Sequence, residues 1–92
     1  MDDFDDDEWA EMQEMYIKHT FNELNSLKES MDSLKLDSLR TFGHNIKGSG
    51  GMYGFNEITE MGATIEMAAK NENIEQIKSD LDNLETFLKS KL

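Results

Sequence analysis

A histidine and a lysine three residues apart, His44 and Lys47, stand in the most glycine-rich part of this 92-residue chain. The stretch Gly43-His44-Asn45-Ile46-Lys47-Gly48-Ser49-Gly50-Gly51-Met52-Tyr53-Gly54 holds five of its six glycines. An imidazole is a nucleophile and proton carrier near neutral pH, and an ammonium one helical turn away can offset charge on anionic oxygens beside it. Glycine costs roughly 1 kcal/mol against alanine inside a helix, so the cluster needs a reason. Bare ground around a reactive ring is such a reason.

The helical periodicity supports it. Leu36, Leu39, Phe42, Ile46, Gly50 and Tyr53 fall on one stripe of a helix, which predicts a core-facing side. His44 projects to roughly the opposite side, with Lys47 at i+3 and Gly48 and Gly51 at i+4 and i+7. Gly48 and Gly51 there remove side chains that would obstruct a docking partner, whereas Gly43 and Gly50, nearer the stripe, permit close helix packing. Ser49 is a candidate hydrogen-bond donor to an anion. A P-loop is excluded, because that motif needs Gly-Lys-Ser/Thr and here lysine precedes glycine.

Residues 44–55, His44-Asn45-Ile46-Lys47-Gly48-Ser49-Gly50-Gly51-Met52-Tyr53-Gly54-Phe55, resemble the active-site segment of histidine-containing phosphotransfer (HPt) domains. That family's pattern is His-x-x-Lys-Gly followed by small residues and often Gly-Phe. The segment is similar also to the phosphoryl-accepting domain of chemotaxis histidine kinases, and the helical pattern extends the resemblance over most of residues 16–92. The resemblance implies reversible phosphoryl transfer between Nε2 of His44 and the aspartate of a response-regulator receiver domain, with an upstream histidine kinase in the same relay. It implies that Lys47 offsets the phosphoryl charge. It also implies that Glu66, which follows Ile65 as a glutamate follows a leucine in the chemotaxis-kinase domains, accepts a hydrogen bond from Nδ1–H of His44. Docking is expected around Arg40, Asn45, Lys47, Gly48, Ser49, Gly51 and Met52. No cofactor is expected on this chain, the divalent cation belonging to the receiver, and a phosphocarrier of this kind has no autokinase activity.

The composition agrees with such a partner. The formal charge of −11 argues against nucleic acid, and its distribution says more than its size. Residues 1–15 hold eight acidic residues and no Lys or Arg, whereas the other 77 carry twelve acidic against nine basic. The segment 36–53 has only Asp37 against Arg40 and Lys47, so the surroundings of His44 are neutral to slightly basic. The absence of cysteine removes disulfides and thiolate chemistry, and with two histidines no closed zinc site is expected. No apolar run approaches the ~20 residues of a membrane span, and the N-terminus is acidic where a signal peptide is basic. A cytoplasmic, monomeric protein is expected, with Met1 favouring a free-standing chain.

Four amphipathic segments must position these residues. The first is predicted from about Asp7 to Met31, with Trp9, Met12, Tyr16, Ile17, Phe21, Leu24, Leu27 and Met31 at helical spacings. Residues 1–8 form an acidic tail or helix start, and 9–92 a single domain. A connection near Asp32–Leu36 leads to the histidine helix, with Ser33 or Asp37 as N-cap, and the glycines end that helix around Tyr53-Gly54. Asn56 is expected to cap a third helix that buries Ile58, Met61, Ile65 and Ala69 and uses Gly62 and Ala68 for close approach. Asn73 with Gln76 at N3 makes a capping-box pattern, and Ile74, Ile77, Leu81, Leu84 and Leu88 form the last stripe. The pattern predicts an all-α, antiparallel up-down four-helix bundle.

Rival readings are weaker on the same residues. A non-catalytic helical interaction module would keep the bundle and bind a basic partner through the acidic N-terminus, but would have no use for an intact His44, Lys47 and Gly48. A dimerising bundle with Trp9, Tyr16 and Tyr53 in its interface does not explain glycines in mid-helix. Metal-dependent hydrolysis lacks a ligand set. His19 is read as incidental, and Met12, Met31 and Met61, which sit at core spacings, point to gap-filling as the use of methionine here.

Overall fold

Apolar residues recurring every three to four positions fold the chain into four helices, and the computed structural model describes residues 6–29 and 36–92. They are α1 (Asp6–Glu29), α2 (Leu36–Ser49), α3 (Asn56–Lys70) and α4 (Ile74–Lys91), with a 3₁₀ turn at Gly51–Tyr53 between α2 and α3. Short connections between successive helices give the antiparallel up-down four-helix bundle the pattern predicts. Each helix contributes to one core: Ile17 and Leu24 from α1, Leu39, Phe42 and Ile46 from α2, Ile58, Ile65, Ala68 and Ala69 from α3, and Ile77, Leu81, Leu84 and Leu88 from α4. Full burial of such a leucine or isoleucine stabilises by roughly 1.5–3 kcal/mol.

Asp6, Asp7 and Glu8 form the first turn of α1, where carboxylates meet the positive end of the helix dipole. The acidic residues Asp2, Asp3 and Asp5, the expected helix end at Met31, and residues 32–35 of the connection expected near Asp32–Leu36, Ser33 among them, lie outside the described residues, while Leu36 already opens α2. Asp37 lies inside the first turn of α2 and not before it.

Three local expectations need correction. Asn56 is the first residue of α3 and not its cap; Phe55 holds that position without a side-chain cap bond. Ile74 opens α4 and remains 37% exposed, because the helix begins before it reaches the core. Asn73 does cap α4, its side chain accepting from the Gln76 backbone N–H at 3.2 Å. Gln76, however, does not reach back to complete the box, since its amide donates to Asp80 Oδ1 at 2.7 Å.

The contact that matters most for the site is the crossing of α2 over α3. A Cβ on Gly43 would lie 2.7 Å from the Glu66 backbone nitrogen, and one on Gly62 would lie 2.6 Å from that of Lys47. The two helices therefore meet backbone against backbone, and the residues beside that crossing are forced together. Beyond Ser49 the chain turns through Gly54, whose φ of 84° is ordinary only for glycine, and Phe55 N–H closes the turn on Gly50 O at 2.8 Å.

Candidate functional site

His44 follows Gly43 at the crossing, and Glu66 lies opposite on α3. Nδ1 of His44 is 2.9 Å from Glu66 Oε2, and Lys47 Nζ donates to the other carboxylate oxygen, Oε1, at 3.1 Å. The glutamate side chain is only 12% exposed, whereas the imidazole is 68% exposed and the lysine about half. One well-covered carboxylate thus fixes two side chains that face outward.

The charge state of Glu66 decides the tautomer of His44. The Lys47 hydrogen bond, with a lesser contribution from His44, outweighs desolvation and holds the Glu66 carboxyl below its ordinary value. An ionised carboxylate can only accept, so Nδ1 carries the proton it donates. In the neutral ring Nε2 is then left with a free lone pair, on the exposed side of the helix.

The ground beside the ring is open. A Cβ on Gly48 would meet nothing within 4 Å, and one on Gly51 only ordinary contacts with Asn56 and Thr59. Arg40 and Asn45 are exposed on α2, Asn45 at the edge of a groove between α1 and α2 that is floored by Leu27 and Phe42. Met52 is 75% exposed. Ser49 does not join this face: its hydroxyl is 2.7 Å from the Tyr16 hydroxyl, half-buried toward α1. Gly50 serves packing, since a Cβ there would lie 2.7 Å from the Thr59 nitrogen.

Several supporting residues carry no signal in the local motif. Tyr53 stacks on Tyr16 at 4.4 Å between centroids and on Trp9 at 6.4 Å, and Gln13 donates to Tyr53 O at 2.8 Å. Thr59 accepts from the Gly51 N–H at 2.8 Å. The apolar spacing of α1 shows that Trp9 and Tyr16 are partly covered, but not that they cover the turn that ends the histidine helix. Among the described residues no three potential metal ligands lie together, and no helix is long and apolar enough to cross a membrane.

A bundle of four helices that presents one histidine beside a lysine and a glycine defines a class, and the sequence comparison names it. The family model described as Hpt domain matches residues 11–88, so the chain belongs to the Hpt domain family. Members of that family are phosphocarriers of two-component signalling that interact with receiver domains and kinases. No curated protein and no solved structure gives a significant match.

Proposed function

We propose that this protein is a phosphorelay carrier that takes a phosphoryl group onto Nε2 of His44 from one receiver aspartate or kinase and passes it to another receiver. The observation that carries this reading is the single carboxylate of Glu66 shared between Nδ1 of His44 and the ammonium of Lys47. In the accepting direction the Nε2 lone pair forms a bond to phosphorus while the bond from phosphorus to the aspartate oxygen breaks. The electron pair of that bond leaves with the aspartate, which is released as a carboxylate. No proton has to move, because Nδ1 keeps its hydrogen throughout. The ring becomes positive as the bond forms, and the Glu66 carboxylate in contact with it stabilises that charge. Lys47 has further N–H donors to offer the phosphoryl oxygens while it remains near Glu66.

Positioning and charge neutralisation make up most of what such a transfer asks of a protein. The open surface at Gly48 and Gly51 suits the close approach of a receiver, with Arg40, Asn45 and Met52 at its margin. The divalent cation and acceptor aspartate belong to the receiver, and no autokinase activity is expected. Ser49 has its hydroxyl engaged by Tyr16 and acts in this reading through helix position.

The test is labelling of the purified protein by a phosphorylated receiver domain. Wild type should acquire a label that is labile in acid and stable in base, and His44→Gln should acquire none while melting at nearly the same temperature. Equal labelling of His44→Gln would move the site to another residue. Failure of several receivers and a small-molecule phosphodonor to label wild type would replace the proposal with a non-catalytic interaction module.

A further inference from the structure

The α3–α4 seam, away from His44, contains a buried acid that phosphoryl transfer does not use. Asp80 is 6% exposed, its Oδ1 accepts from Gln76, and its Oδ2 is the one buried side-chain polar atom without a hydrogen-bond partner among the described residues. A carboxylate oxygen left bare inside a protein is costly, and its persistence asks for a ligand or a use. Asp80 lines a groove of about 660 Å³ between the two helices, flanked by the apolar side chains of Met61 and Phe87.

Apart from Asn83, whose amide can donate as well as accept, the polar groups of the groove are matched to a donor. The hydroxyls of Thr64, Thr86 and Ser90 all line it, and each gives its hydrogen to a backbone carbonyl of its own helix: Glu60, Asp82 and Phe87 respectively. What they turn to an incoming group is therefore oxygen lone pairs. No lysine or arginine is among the lining residues. With Oδ1 already taken by Gln76, Asp80 offers one oxygen, Oδ2, which is covered until a neighbouring side chain moves aside. That suits a compact ammonium better than the two-pronged fork of a guanidinium.

We propose that this groove binds an ammonium group on a short alkyl stem, with Asp80 as its counter-ion, the hydroxyl oxygens as further acceptors and Met61 and Phe87 against the stem. Met61, unbranched and half-buried, is the side chain that can swing to admit it. The same chemistry is carried by a free alkylamine and by the lysine of a partner protein. The site is independent of the phosphocarrier reading, so Asp80→Asn should leave labelling at His44 unchanged.

The test is a titration of the 15N-labelled whole chain, followed by amide shifts, with n-butylammonium, Nα-acetyl-lysine methylamide and, as the neutral control, n-butanol. Saturable shifts at Thr64, Asn83 and Phe87 are expected from both ammonium probes and not from the alcohol. Asp80→Asn should weaken them about tenfold, the loss of one charge-assisted hydrogen bond. Thr86→Val, at an exposed rim position, should weaken them about threefold and gives a readout if the Asp80 variant does not fold. A free amine that binds as tightly as the lysine derivative identifies a small-molecule site, and a preference for the lysine derivative identifies a protein side chain. Shifts that are equal in the variants, or that spread over the acidic first turns of α1, would overturn the proposal.

Discussion

Glu66 is the residue on which the site turns, because it sets the tautomer of His44 and the position of Lys47 with one carboxylate. Its pKa is lowered from the ordinary 4.5, so the sign of its pH dependence follows directly. The stabilisation it gives is fully present above that ordinary value and is lost as pH falls through the lowered one. Wild type and Glu66→Gln should therefore differ in urea midpoint at neutral pH and converge in acid; a constant gap would deny the charge a role. Glu66→Gln keeps an acceptor for Nδ1–H but loses the negative charge, so the rate of phosphoryl acceptance should fall about tenfold, and Glu66→Ala should cost more. Equal rates in all three would leave Glu66 only a surface residue. His44 and Lys47 are legible in sequence because three residues of helix bring them to one side. Glu66 is legible only through the family resemblance. The engagement of Ser49 is not legible at all, since its partner Tyr16 lies 33 residues away on another helix.

At the scale of the helix pair, glycines of one type do opposite things, and their angular position on the helix tells them apart. Gly43 and Gly62 lie in the α2–α3 crossing, where an added Cβ would strike backbone that cannot yield, while Gly48 faces open space. Gly62→Ala should cost about 1–3 kcal/mol by overpacking and slow phosphoryl acceptance as Glu66 is moved from His44. Gly48→Ala should instead gain up to about 1 kcal/mol from helix propensity. Chemical denaturation of the two variants checks the contrast, and equal midpoints would mean that the crossing is not tight. Helical periodicity reveals this division because it reports which side of a helix faces inward. It does not fix helix ends: the cap at Phe55 and the exposed Ile74 depend on how the chain enters and leaves the bundle, which apolar spacing does not record.

The molecule as a whole is a rod of 46 × 20 × 18 Å in which α2 packs most extensively on α3, α3 on α4, and α1 on α4 and the 3₁₀ turn. Four apolar stripes make the bundle legible in sequence, but not the way α1 is fastened to it. That fastening comes from residues distant along the chain. Near the C-terminal end of α1, Lys28 donates to Asp82 and Glu85 of α4 at 2.8 and 2.9 Å, and these carboxylates raise its pKa. Near the other end, Trp9 and Tyr16 stack on Tyr53 in the turn that follows the histidine helix. The early part of α1 buries little beyond this stack, whereas α2, α3 and α4 share most of the core, so α1 should open first. Tyr53→Leu removes the shared ring and should cost about 0.5–1.5 kcal/mol. Amides of residues 9–16 should then exchange faster and Trp9 emission move to the red. Protection at Ile46, Ile65 and Leu84 should fall only by the loss in global stability. If those core amides lose as much protection as residues 9–16, the molecule opens as one unit and the stack is no separate fastening.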